Sequence, residues 1–254
     1  MRAYFRFRGE LNDFLPADLG QENIPYQLNG PVAVKHCIEA LGVPHTEVDL
    51  ILVEKLNFEF FNFVGLSYLV GEGDRIEVFP VGHEIELETE RRLCPSPPCN
   101  PPRFILDGHL GRLATYLRLL GFDTQYYNDI EDEEIARIAV ERERVLLTRD
   151  VRLLMRKNVD YGYWLRSKDP MEQIGEIVKR YKLASAISPW GRCLRCNGHL
   201  EETLKEDILD RLEPLTIKHY HEFHICQDCD QIYWKGSHYQ PLRQLVADIG
   251  GVVG

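Results

Sequence analysis

The chain has 254 residues, 44% of them hydrophobic, and a formal net charge of −10 at pH 7. That length allows two or three domains with ordinary cores, and the negative charge excludes a protein held on nucleic acid by bulk electrostatics, though not one with a local basic patch. No apolar run reaches about eighteen residues, and the opening "MRAYFRFRGE" lacks a signal-like apolar segment, so we expect a cytoplasmic protein with no membrane span.

In chain order, "YFRFR" alternates apolar and charged residues as a half-buried strand does. "NGPVAVKHCIEALG" reads as a helix: Pro31 sits near its first turn, Val34, Ile38 and Leu41 line one face, and Gly42 stops it. "VDLILVE" and "GDRIEVFPV" are further strands. These strands and this helix within residues 1–90 predict an α+β layer of sheet on helix. The stretch "GEGDRIEVFP" resembles the last strand of ubiquitin-like β-grasp domains, among them the bacterial sulfur carriers. Carriers need a free Gly-Gly carboxyl terminus, whereas here "VGHEIELE" continues the chain. A docking module, able to meet a protein partner, is the expectation for this segment.

Residues 91–102, "RRLCPSPPCNPP", form a linker. Five prolines from Pro95 to Pro102 fix φ and remove amide donors, so neither helix nor ladder can run through. Cys94 and Cys99 within it are expected to be free thiols, since no second pair lies beside them. Over residues 103–187 the pattern changes. "RFIL" is a strand ending at Asp107. "LGRLATYLRLLG" is a helix with Leu110, Leu113, Ala114, Leu117 and Leu120 inward and Gly121 past its end. "FDTQYY", "VLLT" and "YGYWLR" are strands; "DEEIARIAVER", "DVRLLMRK" and "DPMEQIGEIVKRY" are helices, the first with Ile135, Ile138 and Ala139 inward. Strands apolar throughout and alternating with helices predict a parallel sheet with helices on both faces.

In such sheets ligands bind beyond the carboxyl ends of the strands. Asp107 and Asp150 each stand at such an end. If their strands are neighbours, the two carboxylates converge, and a hard divalent cation relieves their repulsion. Asp132, at the start of the second helix, fits the same place, although acids in a first turn also cap amides. Asp150 and Asp169 can likewise serve as helix N-caps, and Asp169 is expected to do so. Arg112 and Arg118 on the first helix, and Arg149 beside Asp150, are candidates to hold a phosphodiester; the alternative for Arg118 is a solvated helix face.

"FILDGHLGRLATYLRLLGFD", "DEEIARIA" and "RVLLTRD" together resemble the PIN-like ribonuclease domain first described at the C-terminus of the mut-seven exonucleases (Mut7-C). In bacteria that domain is commonly joined to a ubiquitin-like N-terminus and a zinc ribbon. The resemblance implies a metal-dependent ribonuclease acting on RNA, with Asp107, Asp132 and Asp150 as ligands of Mg²⁺ or Mn²⁺.

Residues 188–254 carry "CLRC" and "CQDC". The chain has seven cysteines, and the four in these C-x-x-C pairs point to metal in a reducing compartment rather than to disulfides. Cys193, Cys196, Cys226 and Cys229 supply four thiolates for a closed structural zinc site. Twenty-nine residues separate the pairs, and "EETLKEDILDRL" is expected to fill the gap as a helix with Leu204, Ile208 and Leu212 on one face. His219, His221 and His224 lie nearby but are expected to stay outside the shell. In "QIYWKGSHY", aromatic rings could stack on unpaired bases, with Lys235 and His238 as candidate RNA contacts; Trp234 is expected in the ribbon's own core. The sequence thus predicts a β-grasp domain, a PIN-like α/β nuclease domain and a zinc ribbon. The rival is a non-catalytic RNA- or ribosome-associated adaptor working through the ribbon and the β-grasp domain.

Overall fold

A computed structural model describes residues 1–17, 19, 23–55, 61–83, 85, 91–237 and 239–253. The N-terminal segment contains β1 (Arg2–Phe7), β2 (Ile24–Gln27), α1 (Val34–Ala40), β3 (Val48–Glu54), β4 (Asn62–Phe63) and β5 (Arg75–Pro80). The central segment contains β6 (Phe104–Leu106), α2 (Gly111–Leu119), β7 (Thr124–Tyr126), α3 (Asp132–Glu141), β8 (Val145–Thr148), α4 (Val151–Leu154), β9 (Gly162–Trp164) and α5 (Pro170–Tyr181). The last segment contains β10 (Leu200–Thr203), α6 (Pro214–His219), β11 (Phe223–Cys226), β12 (Ile232–Trp234) and α7 (Tyr239–Val253). Among the described residues no helix is long and apolar enough to cross a membrane.

The chain folds into two compact units, one of residues Met1–Pro97 and Asp132–Trp164, the other of Pro98–Glu131 and Leu165–Gly254. In the first unit five strands form a mixed sheet in the order β2-β1-β5-β3-β4, with β1 parallel to β5. The alternation in β1 buries Ala3, Phe5 and Phe7. Val34, Cys37 and Ile38 of α1 close the same core with Ile51, Ile76 and Val78. Each fully buried Phe or Ile there contributes about 2 kcal/mol. This is the expected β-grasp layer.

The first unit also takes in α3, β8, α4 and β9. β8 and β9 are parallel, and all four residues of β8 are buried, as a continuously apolar strand requires. A 3-10 turn at His45–Glu47 meets β9. Glu47, fully buried, accepts the Trp164 amide on Oε1 at 2.7 Å; His45 Nε2 lies 3.0 Å from the Val159 carbonyl. The Phe14 ring packs on Trp164 with centroids 4.7 Å apart. The linker is also anchored here, because buried Asp49 receives Arg92 Nη1 at 2.8 Å and the Cys94 amide at 3.4 Å.

In the second unit β6 and β7 pair in parallel. Leu110, Leu113, Ala114, Leu117 and Leu120 are buried as their spacing requires, and Phe104 meets Phe122 and Tyr181 edge-on. Asp169 caps α5, accepting the Met171 amide at 2.8 Å and the Glu172 amide at 3.3 Å. The last segment forms an antiparallel sheet, β10-β11-β12. Here the sequence expectation is corrected. "EETLKEDILDRL" is not one helix, because its first residues pair with β11 in the register Leu200↔Cys226 to Thr203↔Phe223, and a 3-10 turn follows at Lys205–Arg211. Cross-strand pairing overrides the helical spacing, so Ile208 is buried while Leu204 is exposed.

Candidate metal centre and active-site residues

The two C-x-x-C stretches fold as matching turns. The Asn197 amide donates to the Cys193 carbonyl at 2.9 Å and the Asp230 amide to the Cys226 carbonyl at 3.0 Å. Asn197 (φ 76°) and Asp230 (φ 56°) occupy the left-handed region that such turns need and that Asn and Asp tolerate best after glycine. The four Sγ atoms all lie within 4.8 Å of one another, with Cys193–Cys229 at 3.7 Å and Cys196–Cys226 at 3.4 Å. Zn–S bonds of about 2.3 Å place tetrahedral sulfurs about 3.8 Å apart, so this donor set fits zinc. Among the described residues it is the single group of three or more potential ligands that closes to such distances, and it contains no histidine. Burial pushes the Cys193 thiol up, but the Tyr233 hydroxyl at 3.2 Å and the backbone at Arg195 and Cys196 outweigh it and bring it down to about 7. Burial pushes Cys196 up to about 12.

Arg118 is tied to this centre. It is 5% exposed, which sets aside the solvated-face alternative and leaves its guanidinium away from solvent. Its Nε donates to the Thr124 carbonyl at 2.9 Å, and Nη1 to the carbonyls of Leu194 and Arg195 at 3.1 Å each. A guanidinium engaged this way is a clamp between α2, β7 and the first cysteine turn, not an open phosphate site. Asn197 adds a second stitch: its Oδ1 accepts the Thr124 amide at 2.8 Å and its Nδ2 donates to Asp123 at 2.8 Å. No spacing rule in the sequence signals either contact.

The predicted acidic residues take these places. Asp107 follows β6 directly and is half-buried; its carbonyl accepts the Leu110 amide at 2.9 Å. Asp132 is the first residue of α3 and exposed. Asp150 is exposed at the N-cap of α4, where Oδ1 accepts the Arg152 amide at 2.8 Å and its own amide donates to Thr148 Oγ1 at 2.9 Å. The N-cap alternative is therefore realised, and it fixes the carboxylate at the end of β8. Arg149 is exposed, with its carbonyl accepting Trp164 Nε1 at 3.1 Å. Arg112 is exposed in the first turn of α2. Asp132, Arg149 and Asp150 belong to the first unit; Asp107, Arg112 and Arg118 belong to the second.

In the ribbon, Lys235 is exposed and ion-paired with Glu222. Trp234 is 39% exposed, correcting the expectation that it lies in the core, which Ile208, Phe223 and Ile232 form instead. His238 lies outside the described residues. Glu47 and Trp164, which hold β9 and the Arg149 carbonyl, were not singled out by any sequence pattern.

A family model for the Mut7-C RNAse domain matches residues 102–246, and one for the Mut7-C ubiquitin domain matches residues 1–86. No curated protein and no solved structure matches the chain. The RNase-domain match spans β6 through the cysteine centre and most of α7, and the ubiquitin match spans the five-stranded mixed sheet. The chain therefore belongs to the Mut7-C RNase domain family, with a Mut7-C ubiquitin domain preceding the nuclease-like part.

Proposed function

We propose that this protein is a metal-dependent endoribonuclease in which Asp107, Asp132 and Asp150 hold Mg²⁺ or Mn²⁺. The observation that carries the reading is Asp150. A fully buried strand, β8, delivers this carboxylate to an exposed N-cap, where the Arg152 amide fixes it. Asp107 occupies the corresponding place after β6. Oxygen-only donors suit a hard cation. A cation bound there supplies Lewis-acid charge and lowers the pKa of a coordinated water. Exposed Arg149 and Arg112 bind the phosphodiester, and Arg149 is steadied by the grip of Trp164 on its carbonyl. Attack in line by water on phosphorus then breaks one P–O bond of the RNA chain. Cys193, Cys196, Cys226 and Cys229 hold a structural zinc, and their unpaired state suits a reducing, cytoplasmic setting. In this proposal the β-grasp domain spans residues 1–90, the linker 91–102, the nuclease domain 103–187 and the ribbon 188–254.

The second reading, a non-catalytic adaptor, is favoured by the net charge of −10 and by the capping role that by itself accounts for Asp150. Manganese-dependent cleavage of RNA separates the two. Replacing Asp107→Asn together with Asp150→Asn should lower cleavage by about a hundredfold or more and abolish the thermal shift caused by manganese, with zinc content unchanged. An unmodified protein that neither cuts RNA nor shifts with manganese is the adaptor.

A further inference from the structure

Beside the cysteine centre lies a cavity of about 580 Å³ that the proposed cleavage chemistry does not use. Four aromatic residues line it: Trp190, Tyr233, Trp234 and Tyr239. Its charged lining residues are Arg192, which donates to the Gly121 and Asn197 carbonyls at 3.3 and 3.0 Å and lies 3.9 Å from Asp123, and Lys235, which is exposed and ion-paired with Glu222.

The rings are held in place before any ligand arrives. Trp190 sits at φ 72°, a left-handed conformation in which a bulky side chain is strained and which persists only where surroundings enforce it. They do so here: the Ser188 and Trp190 amides donate to the Leu120 and Leu119 carbonyls at 3.0 and 3.3 Å. Gly121, at φ 94°, admits this approach, since a Cβ there would fall 2.2 Å from the Ser188 carbonyl oxygen. The segment is pinned to the end of α2, and the half-buried Trp190 ring tilts against Tyr239 with centroids 4.9 Å apart. The Trp234 indole lies over Gly236, where a Cβ would come within 2.6 Å of Nε1. The Tyr233 hydroxyl, 3.2 Å from Cys193 Sγ, ties the fourth ring to the cysteine centre. Strain spent on holding an aromatic residue at a cavity, rather than in a core, marks a binding site.

We propose that this cavity takes an unstacked nucleobase of single-stranded RNA, with Lys235 exchanging Glu222 for a flanking phosphate. Every base offers a flat face to aromatic rings, so such a grip tolerates any sequence, whereas a duplex keeps its bases stacked and cannot enter. Lys235, exposed among the lining residues, offers a phosphate a partner that an apolar peptide leaves unused. This inference rests on RNA being the ligand of the protein and adds that the RNA is single-stranded where the ribbon holds it.

The test uses the zinc-loaded full chain without added magnesium or manganese, and labelled oligouridylate and oligoadenylate of about ten nucleotides, followed by anisotropy. Trp234→Ala should weaken binding about tenfold or more, with Trp234→Phe recovering most of it and zinc content and melting temperature unchanged. Gly236→Ala, which displaces the indole without removing it, should weaken binding as well. A duplex of the same sequence should bind at least about tenfold more weakly. Unchanged affinity in Trp234→Ala and Gly236→Ala, or equal binding of the duplex, overturns the proposal. So does quenching of the tryptophans by an apolar peptide but not by oligonucleotides. Binding that depends on Trp234 without any cleavage removes the nuclease reading alone; cleavage whose KM ignores Trp234→Ala removes the cavity reading alone.

Discussion

Two buried polar side chains show how single residues are constrained. Arg118 can be buried because three carbonyls receive its N–H groups. Arg118→Met should therefore leave those carbonyls unmet and cost about 3 kcal/mol of stability in urea unfolding; a cost below about 0.5 kcal/mol would refute the clamp. His83 is neutral for a geometric reason, since its Nδ1 accepts the Ile85 amide at 3.1 Å and so carries no proton. Burial pulls its pKa below 6.5; Asp49 opposes this and Arg92 adds to it. Unfolding exposes an imidazole that protonates more readily than the folded one, so stability is lost as pH falls below about 6.5. The melting temperature should drop between about pH 7.5 and pH 5.5, and His83→Gln should flatten that slope.

At the scale of elements, helix ends carry both stability and the proposed chemistry. Asp150 is at once the cap of α4 and a proposed ligand, and two substitutions separate these roles. Asn caps about as well as Asp, so Asp150→Asn should keep stability while losing activity. Asp150→Ala should lose activity and about 1 kcal/mol besides. If Asp150→Asn cleaves RNA normally, the carboxylate is a cap alone. The end of α2 is more demanding. Gly121 combines a positive φ with a close carbonyl, so Gly121→Ala should cost about 2 kcal/mol or more and change the fluorescence of Trp190.

For the molecule as a whole, the ubiquitin-like segment is structural support for part of the nuclease-like sequence. Within the first unit, Phe14 and Glu47 cover and bond Trp164, and His45 reaches Val159. A chain beginning at residue 98 loses the Phe14, Glu47 and His45 sides of these contacts. We expect it to aggregate or bind a hydrophobic dye on size-exclusion analysis; a monomer melting like the full chain would show the support to be dispensable. In the second unit the cysteine centre carries the Leu194 and Arg195 carbonyls that receive Arg118. Chelation should therefore lower the melting temperature of α2 along with the ribbon, not of the ribbon alone.

Much of this architecture was legible in the sequence. The alternation in β1 and the unbroken apolar run of β8 declared which faces are buried, because side-chain period follows directly from backbone geometry. The spacing of Leu110, Leu113, Leu117 and Leu120 marked α2, Asp169 and Pro170 marked the start of α5, and the paired C-x-x-C turns marked the four-cysteine cluster. Tertiary structure alone decided where polar groups find their partners. Arg118 read as a phosphate-binding or solvated residue because helical spacing gives no hint of carbonyls 76 and 77 residues away. The exposed Trp234, the strained Trp190 and the bond from Trp164 to Glu47 were hidden for the same reason. Periodicity reports the burial of a face, whereas a hydrogen bond needs two groups whose meeting depends on how distant segments of the chain pack.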